Sequence, residues 1–218
     1  MTAFPRVSPV GEAALLVELG DVVDAELNAR VHALARQLDE GVLELEGLGR
    51  CVPAYASLLV PFDPLQAEPA ALAERLTRLA AATEASAASG ALVEIPVMYG
   101  YDDGPDLEAV ARSTGLSPDA VIDQHAAAEY RVYLLGFAPG FAYLGPLPAA
   151  LRLPRRDEPR VRVPAGSVAI AGAQSAVYPQ ATAGGWHLIG RTEVRLWDPS
   201  ATQPARLRPG DRVRFVPA

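Results

Sequence analysis

The chain contains no lysine: all 19 of its basic residues are arginine. That absence excludes a Schiff-base lysine, the lysine of a Walker-type phosphate loop and the Ser-Ser-Lys machinery of amidase-type hydrolases, unless a partner supplies the group. Cysteine is nearly absent too. Cys51 stands alone, so no internal disulfide forms, which is compatible with a reducing cytoplasm. One cysteine and three dispersed histidines (His32, His125, His187) offer no structural zinc spacing, and no metal site is expected. Long apolar runs are also missing: none approaches the roughly 18–20 residues a membrane helix needs. The opening "MTAFPRVSPVGEA" lacks the basic start and apolar stretch of a signal peptide. A cytoplasmic protein with no membrane contact is expected.

Half of the 218 residues are hydrophobic, enough to bury a sizeable core in one domain or two. The net charge of −7 is unevenly spread: residues 1–129 carry 7 Arg against 21 acids (−14), residues 130–218 carry 12 Arg against 5 acids (+7). Electrostatics thus supports a break near residue 129. The arginines lie in strand-like segments without an RNA- or DNA-binding signature, so the expected ligand is a small anion and not nucleic acid.

Periodicity organises the chain. "AALLVELG" (13–20) reads as a strand, and Leu27, Val31, Leu34 and Leu38 form a helical stripe over 22–39, with His32 off it. "VPAYASLLVPF" (52–62) is a strand candidate broken by Pro61, and Leu72, Leu76 and Leu79 mark a second helix. That helix fades into "AATEASAASGA" (81–91), read as a helix end and linker. "LVEIPVMYG" (92–100) restarts a strand. Two helices follow, one capped by Asp103 and ended by Gly115, the next capped by Ser117 with Pro118 at its first position. From "YRVYLLGF" onward, alternation with frequent Gly and Pro points to a closed or strongly bent antiparallel sheet.

Several residues are candidates for chemistry. Asp102, Asp103 and Asp106 can bind Mg²⁺, but their place at a helix start makes capping and dipole compensation a sufficient reason for them. His125 reads from its surroundings as a core imidazole before a proton-transfer group. Ser167 follows a glycine and lacks the nucleophile-elbow pattern. "RLPRRDEPRVRVP" packs Arg152, Arg155, Arg156, Arg160 and Arg162 into 11 positions; guanidinium forks suit carboxylate or phosphate, and a solvated loop explains them equally well. "GGWHLIGRT" adds Gly184, Gly185, Trp186 and Arg191 as a candidate ligand wall. "LLGFAPGFAYLG" (134–145) spaces Phe137 and Phe141 four apart, yet Pro139 and the glycines argue against a helix and for a tight apolar loop.

Together "YRVYLLGFAPGFAYLG", "RRDEPRVRVPAGSVAIAGAQSAVYPQ" and "GGWHLIGRT" closely resemble the KipI / allophanate hydrolase subunit 1 family, which includes the B-type subunit of 5-oxoprolinase, and the likeness extends over nearly the whole chain. The resemblance implies an α+β fold: a small α/β N-terminal domain (1–90) followed by a cyclophilin-like β-barrel domain (91–218). It implies one component, inactive alone, of an ATP-dependent 5-oxoprolinase that opens 5-oxo-L-proline to L-glutamate. Partners would be a KipA-like C-type subunit and a LamB/YcsF-like A-type subunit. ATP with Mg²⁺ would act at the level of the complex, with no cofactor tightly bound to this chain. Residue by residue, His125 matches as the catalytic position. Phe137, Pro139, Gly140, Phe141, Arg160, Gln174, Tyr178, Pro179, Trp186 and Arg191 match as substrate- or nucleotide-binding positions. Ser175-Ala176, Tyr101 and Glu193 depart from the family pattern. A KipI-like inhibitor of a histidine kinase is the alternative, and a carboxyltransferase-like role the third reading. Allophanate hydrolysis of the amidase type would need a lysine that this chain lacks.

Overall fold

A computed structural model describes residues 4–43, 46–85 and 90–218, which divide into two compact units, 1–88 and 89–218. In the first, β1 (Arg6–Pro9), β2 (Ala14–Glu18), β3 (Val52–Pro53) and β4 (Ser57–Pro61) form an antiparallel sheet in the order β1-β2-β4-β3. Two helices, α1 (Ala25–Asp39) and α2 (Pro69–Ala82), bury Val31, Leu34, Leu38, Leu72 and Leu76 in one core with Leu15, Val17, Leu58 and Val60. Asp24 caps α1 by accepting from the Glu26 and Leu27 amides. Buried Asn28 donates to the carbonyls of Ala54 and Tyr55, tying α1 to the β3–β4 turn. The expected 52–62 strand is therefore a hairpin of two short strands. Of the linker expected over 81–91, residues 86–89 lie outside the described residues.

The second unit holds β5 (Leu92–Tyr99), α3 (Leu107–Thr114), α4 (Pro118–Ala127), β6 (Glu129–Leu135), β7 (Ala142–Gly145), β8 (Arg160–Val163), β9 (Ser167–Ala171), β10 (Gln174–Val177), β11 (Thr182–Gly184), β12 (His187–Arg191) and β13 (Arg212–Pro217). Seven strands close a barrel in the order β10-β7-β6-β13-β5-β12-β9, and β8 pairs with β11 as a separate ribbon. The fold is α+β, as expected, with one departure from an all-antiparallel sheet. β13 pairs in parallel with β5, because the last strand returns beside the first and everything between them serves as the crossover.

Alternation along β9 creates two cores back to back. Val168 and Ile170 point into the barrel, with Ile95, Val97, Val132 and Phe215. Ala169 and Ala171 point out and, with Ala176 of β10, underlie Phe141, Tyr178 and Trp186. The small outer side chains leave room for the large rings above them.

Helix boundaries follow the expected signals, except for one cap. Ser117 Oγ accepts from the Ala120 amide, and Gly115 closes α3 in the left-handed conformation at φ 72°. Asp103 does not cap α3. Asp106 occupies the N-cap position, yet makes no side-chain bond to the helix. Its carboxylate is claimed by groups far along the chain, which outweigh the local amides.

Candidate functional site

The "GFAPGF" segment is a tight loop between β6 and β7. Gly136 N–H donates to Phe141 O, and the Phe141 amide donates to Ala138 O. Gly140 sits at φ 78°, where an added Cβ would lie 2.8 Å from Trp197 Cβ, so only glycine lets the loop approach that close. The result buries Phe141 and leaves Phe137 63% exposed at φ 66°.

These rings wall a cavity of about 150 Å³ on the outer face of the barrel. Phe137, Phe141, Tyr143, Tyr178 and Trp186 supply aromatic surfaces; Arg155, Arg156, Pro159, Gly184 and Gly185 complete the lining. Phe141 is the hub, edge-to-face with Phe137 at 5.2 Å, Tyr143 at 5.1 Å, Tyr178 at 5.3 Å and Trp186 at 5.8 Å between centroids. Tyr178 Oη accepts from the Trp186 backbone N–H, and desolvation raises the phenol pKa, so the hydroxyl stays protonated and can donate. A Cβ at Gly184 would collide with that oxygen.

Charge enters through the 155–160 segment. Arg156 is fixed at three points: its backbone N–H donates to Gly185 O at 2.8 Å, its Nη1 donates to Asp106 Oδ1 at 2.9 Å, and its Nε makes a longer bond of 3.4 Å to Glu158 O. Arg155 forms no ion pair among the described residues. Roughly 300–1,000 Å³ is usual for a drug-sized ligand, so this cavity suits one small flat ring bearing an anionic group and is too small for a nucleotide.

Other positions singled out from the sequence lie elsewhere. Arg160 grips Asp106 bidentately, Nη1 to Oδ2 at 2.9 Å and Nη2 to Oδ1 at 2.8 Å, and does not line the cavity. Arg191 is half exposed at the end of β12, with Nη1 3.9 Å from Asp103. Pro139 is exposed on the β6–β7 loop, Gln174 opens β10, and Pro179 follows Tyr178 beyond the strand. The three aspartates do not converge as a metal site, since Asp106 turns inward to the arginines while Asp103 faces Arg191.

His125 is buried inside the barrel, on the opposite face of the β9–β10 wall from the aromatic cavity. Its ring stacks on Phe215 at 4.5 Å; Nδ1 lies 2.8 Å from Tyr99 Oη and Nε2 2.9 Å from Ser175 Oγ. Ser175 Oγ donates to Ala169 O, so Nε2–H donates to the serine and Nδ1 accepts from the tyrosine. Burial pushes the imidazole pKa down to about 3, which keeps it neutral. Expected to move a proton, His125 has both nitrogens committed and adjoins Val121, Tyr130 and Phe215 in the barrel core.

Phe137, Phe141, Tyr178 and Trp186 meet at this cavity with Arg155 and Arg156, whereas Arg160 and Arg191 lie outside its lining. The arginine-dense "RLPRRDEPRVRVP" stretch carried that signal; which arginines reach the cavity depends on Asp106, some 50 residues away in sequence.

Residues 5–207 match the carboxyltransferase domain, subdomain C and D. The chain belongs to this family. It is 40% identical over 230 residues to the 5-oxoprolinase B subunit of Bacillus subtilis, spanning 99% of this chain and 94% of that protein. It is 44% identical over 208 residues to the 5-oxoprolinase B subunit of Escherichia coli, spanning 95% of this chain and 94% of that protein. The crystal structure of TTHA0988 superposes with a TM-score of 0.82 at 43% identity, over 94% of this chain and 40% of that longer one. The urea amidolyase of K. lactis shares the fold, with a TM-score of 0.79 at 19% identity over 97% of this chain and 15% of the other. The carboxyltransferase C/D fold accounts for the closed barrel, and the relatives assign the chain to the subunits of an enzyme complex.

Proposed function

We propose that the chain is the B-type subunit of an ATP-dependent 5-oxoprolinase and that its aromatic cavity holds 5-oxo-L-proline. The observation that carries the reading is the pairing of a one-ring cavity with arginine and no lining carboxylate. A five-membered lactam offers a flat face that one of the aromatic rings of the wall can cover. Its carboxylate fits Arg155 and Arg156, and the Tyr178 hydroxyl can donate to the ring carbonyl. A kinase inhibitor would act through an outer surface and has no need of such a cavity.

Amide resonance protects a lactam carbonyl; ATP activates it by turning the oxygen into a phosphorylated leaving group. This chain has no lysine for the phosphates and its aromatic cavity is too small for a nucleotide, so we assign ATP and Mg²⁺ to the complex, formed with KipA-like and LamB/YcsF-like subunits in the cytoplasm. Here the chain binds and orients the lactam, and a partner completes the reaction. The test is reconstitution. The chain alone is expected to bind 5-oxoproline without turnover, and co-expression with those two subunits to give ATP-dependent glutamate release. Turnover by the isolated chain, or none by the assembled complex, would overturn it.

A further inference from the structure

Asp106 is only 3% exposed and stands at the start of α3, where its side chain bonds none of the helix amides. A carboxylate at an N-cap ordinarily accepts from the first helical turn. This one accepts from Arg156 Nη1 at 2.9 Å, from both Arg160 amino groups, and from the Leu188 backbone N–H at 2.7 Å. Desolvation works against its charge, but the Arg160 hydrogen bonds, the Leu188 amide and the field of both arginines prevail and hold its pKa below the ordinary carboxylate value. The donors come from three separate places: β8, β12 and the loop before β8.

The division of labour among the arginines is set here. Arg160 spends both amino groups on Asp106 and stays out of the cavity wall. Arg156 spends only one and lines the cavity. Two guanidinium groups share one carboxylate, so the cluster keeps a net positive charge, to which Arg155 adds.

Resting on the reading of the cavity as the 5-oxoproline site, we propose that Asp106 is a positioning residue for carboxylate recognition. It holds the Arg156 guanidinium rigid in the wall before the ligand arrives. A side chain already ordered loses little freedom on binding, so the grip is tighter than a free arginine would give. Asp106 touches no ligand and acts only through Arg156.

The test follows tryptophan fluorescence, with Trp186 in the wall, as the whole chain is titrated with 5-oxo-L-proline, benzoate or uncharged 2-pyrrolidone. Asp106→Asn is expected to weaken both carboxylates by roughly 10- to 100-fold and 2-pyrrolidone by no more than about twofold. Asp106→Glu should recover part of the loss. The double variant Asp106→Asn/Arg156→Ala should bind no worse than Arg156→Ala alone, which a general structural role would not produce. Should Asp106→Asn fail to fold, Arg160→Gln carries the test, because it leaves the Asp106–Arg156 pair in place. A lower melting temperature with near-native carboxylate affinity supports the proposal; a loss equal to that of Arg156→Ala overturns it. Wild-type binding of 5-oxoproline that Asp106→Asn leaves intact overturns the positioning role alone. Asp106-dependent binding of benzoate without binding of 5-oxoproline overturns the functional reading alone. A wild-type chain that binds none of the probes overturns both.

Discussion

The inner and outer faces of the β9–β10 wall differ in one respect that separates packing from binding. Inside, His125, Tyr99, Ser175 and Tyr130 satisfy one another: each hydroxyl or ring nitrogen has a partner within 3.0 Å, and Phe215 stacks on the imidazole. Outside, comparable aromatic mass surrounds a cavity edged by a guanidinium with no carboxylate partner among the described residues. Polar groups that close on themselves fix a core, while polar groups left over at a cavity are available to a ligand.

The contrast between the two faces breaks most decisively at His125. His125→Ala is expected to remove the stacked ring and strand the Tyr99 and Ser175 hydroxyls, at a cost of about 3–5 kcal/mol and a melting temperature lower by roughly 10 °C or more. Whatever remains folded should bind 5-oxoproline as the wild type does. Thermal unfolding beside ligand titration checks this, and near-native stability with binding or turnover abolished would move His125 from the core to the site.

Acid sharpens the same contrast. An unfolded histidine titrates near its ordinary value of 6.5, whereas burial holds the folded one near 3. Between those limits the unfolded state binds more protons, so stability falls as pH drops from about 6.5 toward 3, by at most about 1.4 kcal/mol per unit. Asp106 adds to the lower end. Its folded pKa is depressed, so its contribution is present above the unfolded carboxylate value and lost as pH falls through the folded one. Denaturant melts at several pH values should show this slope, and His125→Gln should flatten its upper part.

Much of this was legible in the sequence, for identifiable reasons. Helical stripes such as Val31-Leu34-Leu38 and caps such as Ser117 are local, and local spacing reports them directly. The family motifs singled out Phe137, Phe141, Tyr178 and Trp186, which meet at the cavity. Long-range geometry was not legible. The charge of Asp106 looked like a cap because its local context is a helix start; only the fold brings Arg156 and Arg160 to it across some 50 positions. His125 read from its surroundings as a core imidazole, and only the family resemblance made it a candidate base; no one-dimensional pattern tells which side of a barrel wall a helix residue faces. The same blindness hid the division between Arg160, turned to Asp106, and Arg156, turned to the cavity.

The smallest expected effect falls at the cavity rim. Phe137 holds a left-handed backbone at φ 66° and is 63% exposed, touching Phe141 at 5.2 Å and Tyr178 at 6.5 Å between ring centroids. For a residue with a Cβ that conformation costs about 1–2 kcal/mol, and an exposed ring returns little of it to the fold. Phe137→Ala keeps the strain and removes the ring, so stability should barely change while affinity for 5-oxoproline drops by about 0.5–1.5 kcal/mol, the worth of one aromatic contact. Phe137→Gly loses the same contact but relieves the strain, partly offset by about 0.4–1 kcal/mol of added unfolded-chain freedom. The two variants should therefore bind equally weakly, with the glycine protein the more stable by up to about 1.6 kcal/mol. Equal stability would mean that the backbone at 137 relaxes when the ring goes. Wild-type affinity in both would remove Phe137 from the ligand's grip and leave the cavity to the rings beneath it.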